Sequence, residues 1–160
     1  PHVFAFDQES MEDIIGGLLE AKGIRIATYE DITGGMVAER LTQASPNLFI
    51  GGIISNNIEF MTQLIGKIDS DNSHKEFTNT IASTIRRSVD ANLGLAVHGT
   101  PDIHDKSENL ARGHTTISIT NGKSFITKSY NTAGRGNPDR TRISMNAIGL
   151  VRTALTGGFT

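Results

Sequence analysis

The sequence predicts an α/β fold, a three-layer α/β/α sandwich around a mostly parallel mixed sheet with one antiparallel hairpin strand. Short apolar runs with strand-like patterns alternate with amphipathic helical patterns, one hairpin signal follows them, and a helix closes the chain. Parallel strands need crossover helices between them, whereas a short turn joins antiparallel strands. With 160 residues, of which 37% are apolar, the chain is the size of one domain.

The first part of the chain has the pattern of helix, strand, turn and helix. Apolar residues recur at helical spacing from Met11 to Leu19, and Gly23 follows as a helix terminator. Residues 24–29 alternate as a strand does. Residues 33–41 return to helical spacing, and Ser45-Pro46 ends this second helix.

A second strand and two helices are predicted next. Residues 48–55 form an apolar run that indicates a buried strand, and residues 58–65 indicate a short helix ending before Gly66. A longer helix follows the polar run 69–73, because apolar residues lie four apart on one of its faces. These residues are Phe77, Ile81, Ile85 and Val89.

The last part of the chain predicts one more short strand, a hairpin and a final helix. Residues 94–97 indicate the third strand, and Asn121-Gly122 between two β-rich runs is a two-residue hairpin signal. The final helix is expected to begin near Pro138. The segment from His98 to Arg112 has no regular pattern, and an irregular segment of this length is typical of a functional loop.

Composition excludes several classes of function. The 15 basic and 17 acidic residues give a formal charge of -2 with no basic stripe, which argues against nucleic-acid binding. The absence of cysteine excludes disulfides and thiolate metal sites and fits a cytoplasmic location. The apolar runs are far shorter than the roughly 20 residues that span a membrane.

The start of the chain suggests a longer parent protein. Pro1 is not a methionine, and no basic segment followed by an apolar one is present, so a signal peptide is not predicted. We expect residues 1–160 to be a single domain cut from a longer chain, with residues 1–7 as a remnant of the linker.

The turn after the first strand carries the most specific motif. Residues 28–35, Thr-Tyr-Glu-Asp-Ile-Thr-Gly-Gly, resemble the E-S-C-T-G-G signature of the CinA C-terminal domain family. Other landmarks of that family follow in order at similar spacings. They are Gly51-Gly52, Leu64-Ile65-Gly66, Leu95-Ala96-Val97 with Gly99, Gly113, and Asp139-Arg140.

This resemblance implies a CinA-like, anticodon-binding-domain-like fold and a specific reaction. The family hydrolyses the carboxamide of nicotinamide mononucleotide, using a serine nucleophile, a tyrosine and lysine on the segment Y-S-N-E-A-K, and a T-G-I-A-G-P loop. No cofactor is implied. The expected partners are a nucleotide ligand similar to nicotinamide mononucleotide, the N-terminal domain of its own longer chain and a second copy in a homo-oligomer.

The chain departs from the family at the residues that carry the chemistry. The serine falls on Asp31, the tyrosine on Asn56 and the lysine on Met61. Asp31 is a poor acyl acceptor at neutral pH, and Met61 cannot carry or accept a proton. Groups of this kind act as a unit, so losing them together argues against deamidation. The family's Gly-Pro loop falls on residues 100–103.

The residues that would hold a ligand lie near the same turn. Thr33, Gly34 and Gly35 could present N–H groups to a phosphate at the start of a helix. The alternative is simple helix initiation, with Asp31 or Thr33 as the N-cap. The resemblance adds three further ligand-binding candidates, which are Gly99, Thr100 and Arg140.

Two clusters of polar residues also have plain structural interpretations. One cluster could supply metal ligands, but the spacing of its members matches no ligand motif. A solvated loop is therefore favoured, and no metal is predicted. The members of the cluster are His98, Asp102, His104, Asp105 and His114, with Asp31. Three arginines near the last helix could clamp a phosphate, although a solvated face with ion pairs to Asp139 is the simpler interpretation. They are Arg135, Arg140 and Arg142.

Two main functional hypotheses follow. In the first, the domain is degenerate at the deamidase site and is retained as a structural, dimerising or nucleotide-binding partner. In the second, it is an active hydrolase on a nucleotide-like substrate that uses Asp31 and the loop from His98 to His114. The second requires Asp31 and at least one of His98 or His104 to lie within hydrogen-bond reach of a common cleft. A third possibility, an adapter for other proteins, would need an exposed apolar patch.

Overall fold

The fold is seen in a computed structural model that describes residues 9–68, 73–101, 113–132 and 136–159. Ten elements follow one another along the chain. They are α1 (Met11–Lys22), β1 (Ile26–Glu30), α2 (Met36–Ala44), β2 (Phe49–Ile54), α3 (Ile58–Ile65), α4 (His74–Ser88), β3 (Leu93–Pro101), β4 (Gly113–Thr120), β5 (Phe125–Tyr130) and α5 (Asn137–Leu155). No helix within the described ranges is long and apolar enough to cross a membrane.

The five strands form one mixed sheet in the order β2-β1-β3-β4-β5. β1 pairs in parallel with both β2 and β3, while β4 is antiparallel to β3 and to β5. β4 is therefore the single strand that runs against the other four. The predicted α/β fold with a mostly parallel sheet and one antiparallel hairpin strand is confirmed.

Helices cover both faces of the sheet. On one face, α1, α2 and α5 bury the main apolar cluster, whose sheet residues include Ile26, Leu95 and Ile117. On the other face, α4 packs over the sheet with α3 beside it, and the cluster there includes Tyr29 and Ala96. Successive strand residues point to opposite faces, so the even positions of β1 face α2 and its odd positions face α4.

β3 is longer than the sequence pattern indicated. Residues 98–101 had been expected in an irregular loop, but they continue the strand and pair with residues 113–116 of β4. The error arose because the pattern of apolar residues ends at Val97, whereas the backbone pairing continues through polar residues. The rest of the expected loop, residues 102–112, lies outside the described residues.

The hairpin between β4 and β5 is present, but its turn differs from the predicted two-residue type. Thr120 pairs with Phe125, which leaves four residues in the connection. The Asn121 side-chain oxygen accepts hydrogen bonds from the amides of Lys123 and Ser124, both at 2.9 Å. Gly122 adopts φ = 90°, a conformation that favours glycine. The asparagine side chain thus stabilises the wider turn.

Helix α1 brings two adjacent glycines into different surroundings. A Cβ on Gly16 would lie 2.0 Å from the carbonyl oxygen of Ala44 at the end of α2, so glycine permits the two helices to approach closely. A Cβ on Gly17 would meet nothing within 4 Å. The pair separates the effect of helix packing from the effect of helix propensity.

We predict opposite effects of alanine at these two positions. Gly16→Ala should lower the free energy of unfolding by about 1–3 kcal/mol, because the new methyl group overpacks the contact with α2. Gly17→Ala should raise it by about 0.5–1 kcal/mol through helix propensity. Urea denaturation of both variants checks this, and equal effects would contradict the close approach of α1 and α2.

Candidate functional site

The candidate site lies at the carboxyl end of β1, where the chain turns into α2. Strand alternation sends neighbouring side chains in opposite directions at this point. Glu30 points towards α2, whereas Tyr29 and Asp31 point towards the face covered by α4. Two adjacent carboxylates therefore have entirely different partners.

The Glu30 carboxylate is fully buried and anchors the start of α2. Its Oε1 accepts hydrogen bonds from the Thr33 hydroxyl at 2.6 Å, the Gly35 amide at 2.9 Å and the Val37 amide at 3.2 Å. Its Oε2 accepts from the Ala38 amide at 2.8 Å. A negative charge is favourable at a helix N-terminus, and these bonds satisfy N–H groups that have no partner within the helix.

The alternative that Asp31 or Thr33 is the N-cap of α2 is wrong. The residue at the N-cap position of α2 is Gly35, which provides no side-chain cap, and Glu30 reaches the helix start from the end of β1. Gly34 and Gly35 have φ of 60° and 103°, which lets the backbone wrap around the Glu30 carboxylate. Of the three amides considered for phosphate binding, that of Gly34 donates to the Asp31 carbonyl oxygen at 3.0 Å and that of Gly35 donates to Glu30.

Asp31 joins the end of β1 to β3. Its Oδ2 lies 2.6 Å from Nδ1 of His98, and its Oδ1 accepts hydrogen bonds from the amides of Gly99 at 2.9 Å and Ile32 at 2.6 Å. The side chains of Asp31 and His98 are both buried. Asp31 and His98 are thus in direct contact, whereas the hydrolase hypothesis requires both to lie within hydrogen-bond reach of a common cleft.

Tyr29 is a member of this site that the sequence pattern did not single out. Its hydroxyl donates a hydrogen bond to the carbonyl oxygen of Ser55 at 3.2 Å. Burial, followed by the charge and hydrogen bonding of Asp31, raises the pKa of Tyr29 well above its usual value. The phenol therefore stays protonated at neutral pH. Its place on the same face of β1 as Ala27 indicates a core residue only.

Three histidines meet under the start of α4. The rings of His74 and His98 are stacked with centroids 4.6 Å apart, and His114 contacts His74 edge-on at 4.9 Å. His74 Nδ1 lies 2.7 Å from the hydroxyl of Thr116, whereas its Nε2 is buried and has no hydrogen-bond partner among the described residues. His74 was not among the predicted site residues, because it lies in the sequence far from His98 and His114.

His74 is electrically neutral at pH 7. Burial is the largest cause that lowers its pKa, and the neighbouring His98 and His114 lower it further, to about 4. Asp31 acts in the opposite direction but is outweighed. A neutral imidazole can use one ring nitrogen as a donor and the other as an acceptor.

Arg140 reaches the glycine turn from the start of α5. A Cβ on Gly34 would lie 3.9 Å from Nη1 of Arg140, and Nη2 donates to Asn137 at 2.6 Å. The buried Nε has no hydrogen-bond partner within the described part of the chain. Arg142 is instead exposed and pairs with Asp139. Of the three arginines considered from sequence, Arg140 is placed beside the turn and Arg135 lies outside the described residues.

The remaining candidates have different surroundings. Thr33 is buried, and its hydroxyl donates a hydrogen bond to Glu30. The Gly99 amide donates a hydrogen bond to Asp31, and Thr100 is exposed near the end of β3. Asn56 is exposed after β2, whereas Met61 is fully buried in the apolar cluster with Tyr29 and Phe77. Asp102, His104 and Asp105 lie outside the described residues.

Comparison with known proteins relates most of the chain to one family. The profile of the CinA C-terminal domain matches residues 8–155. A putative competence-damage inducible protein of Oceanobacillus iheyensis is 28% identical over 159 residues, which cover 94% of this chain and 38% of that protein. A CinA-like protein of Solibacter usitatus is 27% identical over 164 residues, 97% of this chain and 39% of that one. The chain spans about two fifths of the length of these relatives.

Solved structures have the same fold. A competence or damage-inducible protein from Enterobacter asburiae superposes with a TM-score of 0.76 at 17% identity, covering 91% of this chain and 96% of that one. The competence/damage inducible protein CihA from Agrobacterium tumefaciens gives 0.62 at 19% identity, covering 92% and 93%. At these identities the likeness concerns the fold.

We predict that Glu30→Gln destabilises the protein by about 2–4 kcal/mol. The substitution removes the charge and places an amide donor against backbone N–H groups, while hydrogen bonds to charged groups contribute about 1.5–3 kcal/mol each. The matched control is Glu39→Gln, an exposed position on α2. Chemical denaturation measures both, and equal stabilities of the two variants would contradict the anchoring role of Glu30.

Proposed function

This chain belongs to the CinA C-terminal domain family, and from that premise we propose that it is a member that does not hydrolyse nicotinamide mononucleotide. The main support is the hydrogen bonding of the Asp31 carboxylate, which takes the position of the family serine. Its two carboxylate oxygens accept from His98, Gly99 and Ile32. A carboxylate engaged in this way is a poor nucleophile towards an amide, because the bonds that hold it stabilise its charge.

The other positions of the family mechanism support the same proposal. Met61 stands at the position of the lysine, and its side chain is fully buried among apolar residues. Thioether sulfur cannot transfer a proton, so no base replaces the lysine at that position. The amides of Gly35, Val37 and Ala38 already donate to Glu30, which leaves them poorly suited to hold an oxyanion or a phosphate.

We propose that the domain serves as a non-catalytic part of a longer protein. The curated relatives are more than twice as long as the matched region, which supports a role beside another domain. A homo-oligomer is a second proposed arrangement, and a cytoplasmic location fits both. If a nucleotide binds, Arg140 is the residue that we assign to its phosphate, since its guanidinium lies beside the Gly34 turn.

A second candidate function rests on the contact between Asp31 and His98. A buried carboxylate 2.6 Å from an imidazole can orient that ring as a general base. The corresponding proposal is a hydrolase in which His98 takes a proton from water as the water oxygen bonds to the carbonyl carbon of an amide or the phosphorus of a phosphate ester. The C–N or P–O bond then breaks, and His98 returns the proton to the departing nitrogen or oxygen. Hydrolysis of such a substrate that is abolished by His98→Gln would favour this candidate over the non-catalytic role.

We predict no release of ammonia from nicotinamide mononucleotide by the purified protein above the rate of a protein-free blank. Asp31→Ser alone should not restore activity, because Met61 still occupies the lysine position. An active family member serves as the positive control in a coupled ammonia assay. Turnover on the order of one per second, typical of enzymes, would overturn the proposal.

Binding of nicotinamide mononucleotide separates the nucleotide-binding role from a purely structural one. If Arg140 holds the phosphate, Arg140→Gln should weaken binding about tenfold or more, since charge-assisted hydrogen bonds contribute about 1.5–3 kcal/mol. The matched control is Arg142→Gln, which removes an exposed arginine two positions away. Calorimetric titration measures both. No binding by the unmodified protein at millimolar ligand would overturn the nucleotide-binding role.

A further inference from the structure

The two edge strands of the sheet differ in chemistry. β2 and β5 are the outermost strands among the described residues, so the outer backbone groups of each have no strand beside them. β5 carries the exposed Lys128, and a lysine on an edge strand opposes pairing with another chain. β2 has the sequence Phe-Ile-Gly-Gly-Ile-Ile, which contains no charged residue and no proline. The edge at β2 is therefore open to a further strand.

Apolar side chains are exposed beside the same edge. Ile54 ends β2 and is 49% exposed, and Phe60 and Leu64 on α3 are 49% and 56% exposed. α3 packs through Met61 in a cluster that includes Ile53 of β2. Phe60 and Leu64 are four residues apart, so they lie together on one flank of the helix. The three exposed side chains present about 300 Å² of apolar surface, a size at which patches on monomers are often functional.

We propose that β2 and α3 form the interface of a homodimer in which β2 pairs antiparallel with β2 of a second copy of the chain. A twofold axis beside β2 joins the two five-stranded sheets into one continuous sheet and sets the exposed flank of α3 against that of the second copy. The inference rests on the homo-oligomer proposed above and names the surface that forms it. It does not depend on whether the chain hydrolyses a substrate.

The charge of this surface favours a second copy over a charged partner. Residues 48–66 contain one charged residue, Glu59, although 20% of the whole chain is charged. Successive helical residues are about 100° apart, which puts Glu59 away from the flank of Phe60 and Leu64. Depletion of charge is typical of the centre of a protein interface. A strongly basic or acidic partner finds no complement here, whereas an identical surface meets it without repulsion between like charges.

Backbone pairing provides the self-complementarity that a twofold interface requires. When a strand pairs antiparallel with its own copy, the same hydrogen bonds repeat on both sides of the axis. Residues 51–54 pair regularly with β1, and the irregularity in the register of β2 lies before Gly51. This regular part of the strand is the part that we assign to the second copy.

The size of the surface sets the expected strength of the dimer. The outer edge of β2, the exposed apolar side chains and the polar residues around them amount to about 500–700 Å² per copy, and specific interfaces begin at about 1,000 Å² in total. The interface is therefore small. We expect a reversible dimer with a Kd of about 1–100 μM.

Sedimentation velocity of the purified chain from about 1 to 500 μM tests the proposal, and it should show a monomer–dimer equilibrium with a Kd within that range. Hydrogen exchange at the two ends of the range should slow in the dimer at the β2 amides that do not donate to β1, with no change in β5. This comparison needs no variant. A monomer at every concentration would overturn the interface and the homo-oligomer, and would leave the surface to a different protein. The non-catalytic role would stand.

Two substitutions locate the interface. Leu64→Glu and Ile54→Lys place charges at exposed positions, so both variants should fold, and each should weaken dimerisation about tenfold or more. The matched control is Met145→Glu, at a side chain on α5 that is also 56% exposed, and it should leave the Kd unchanged. An unchanged Kd in both interface variants, or protection that rises in β5 and not in β2, would overturn this interface while the homo-oligomer would stand.

Discussion

The buried Glu30 carboxylate holds the turn between β1 and α2, and the geometry of the candidate site depends on it. Removing a carboxylate from water costs several kcal/mol, and here one hydroxyl and three amide donors at a helix N-terminus offset that cost. The chain can wrap around this charge only because Gly34 and Gly35 adopt positive φ. With the turn fixed, strand alternation directs Asp31 towards β3.

The position of Asp31 decides what the site can do. In a serine-based amidohydrolase, this turn would present a nucleophile next to free backbone donors. Here Asp31, which the family resemblance places at the serine position, is bound to His98 and Gly99, and amides at the start of α2 are bound to Glu30. Both carboxylates also repel an anionic ligand. On the proposed non-catalytic role, the framework of the turn is kept, while Asp31 and Glu30 hold the strands and α2 together.

The sequence predicted the order and type of every described helix and strand, because hydrophobic periodicity and glycine positions are local signals. It failed where long-range pairing decides the outcome. β3 continues through His98 because residues 113–116 of β4 pair with it, and no apolar pattern marks that extension. The N-cap error has a similar cause. Asp31 suits a helix start as well as Glu30 does until it is known which face of β1 each side chain occupies. His74 joins the site only through the packing of α4 on the sheet.

Hydrogen exchange at the start of α2 tests this account most directly. If Glu30 holds the helix start, the amides of Gly35, Val37 and Ala38 should exchange slowly, with protection close to that of the core strands. Added nicotinamide mononucleotide or phosphate should not protect these three amides beyond any slowing that it causes across the core strands. Fast exchange at these amides, or strong additional protection by the nucleotide, would contradict the account, because the amides would then be available to a ligand.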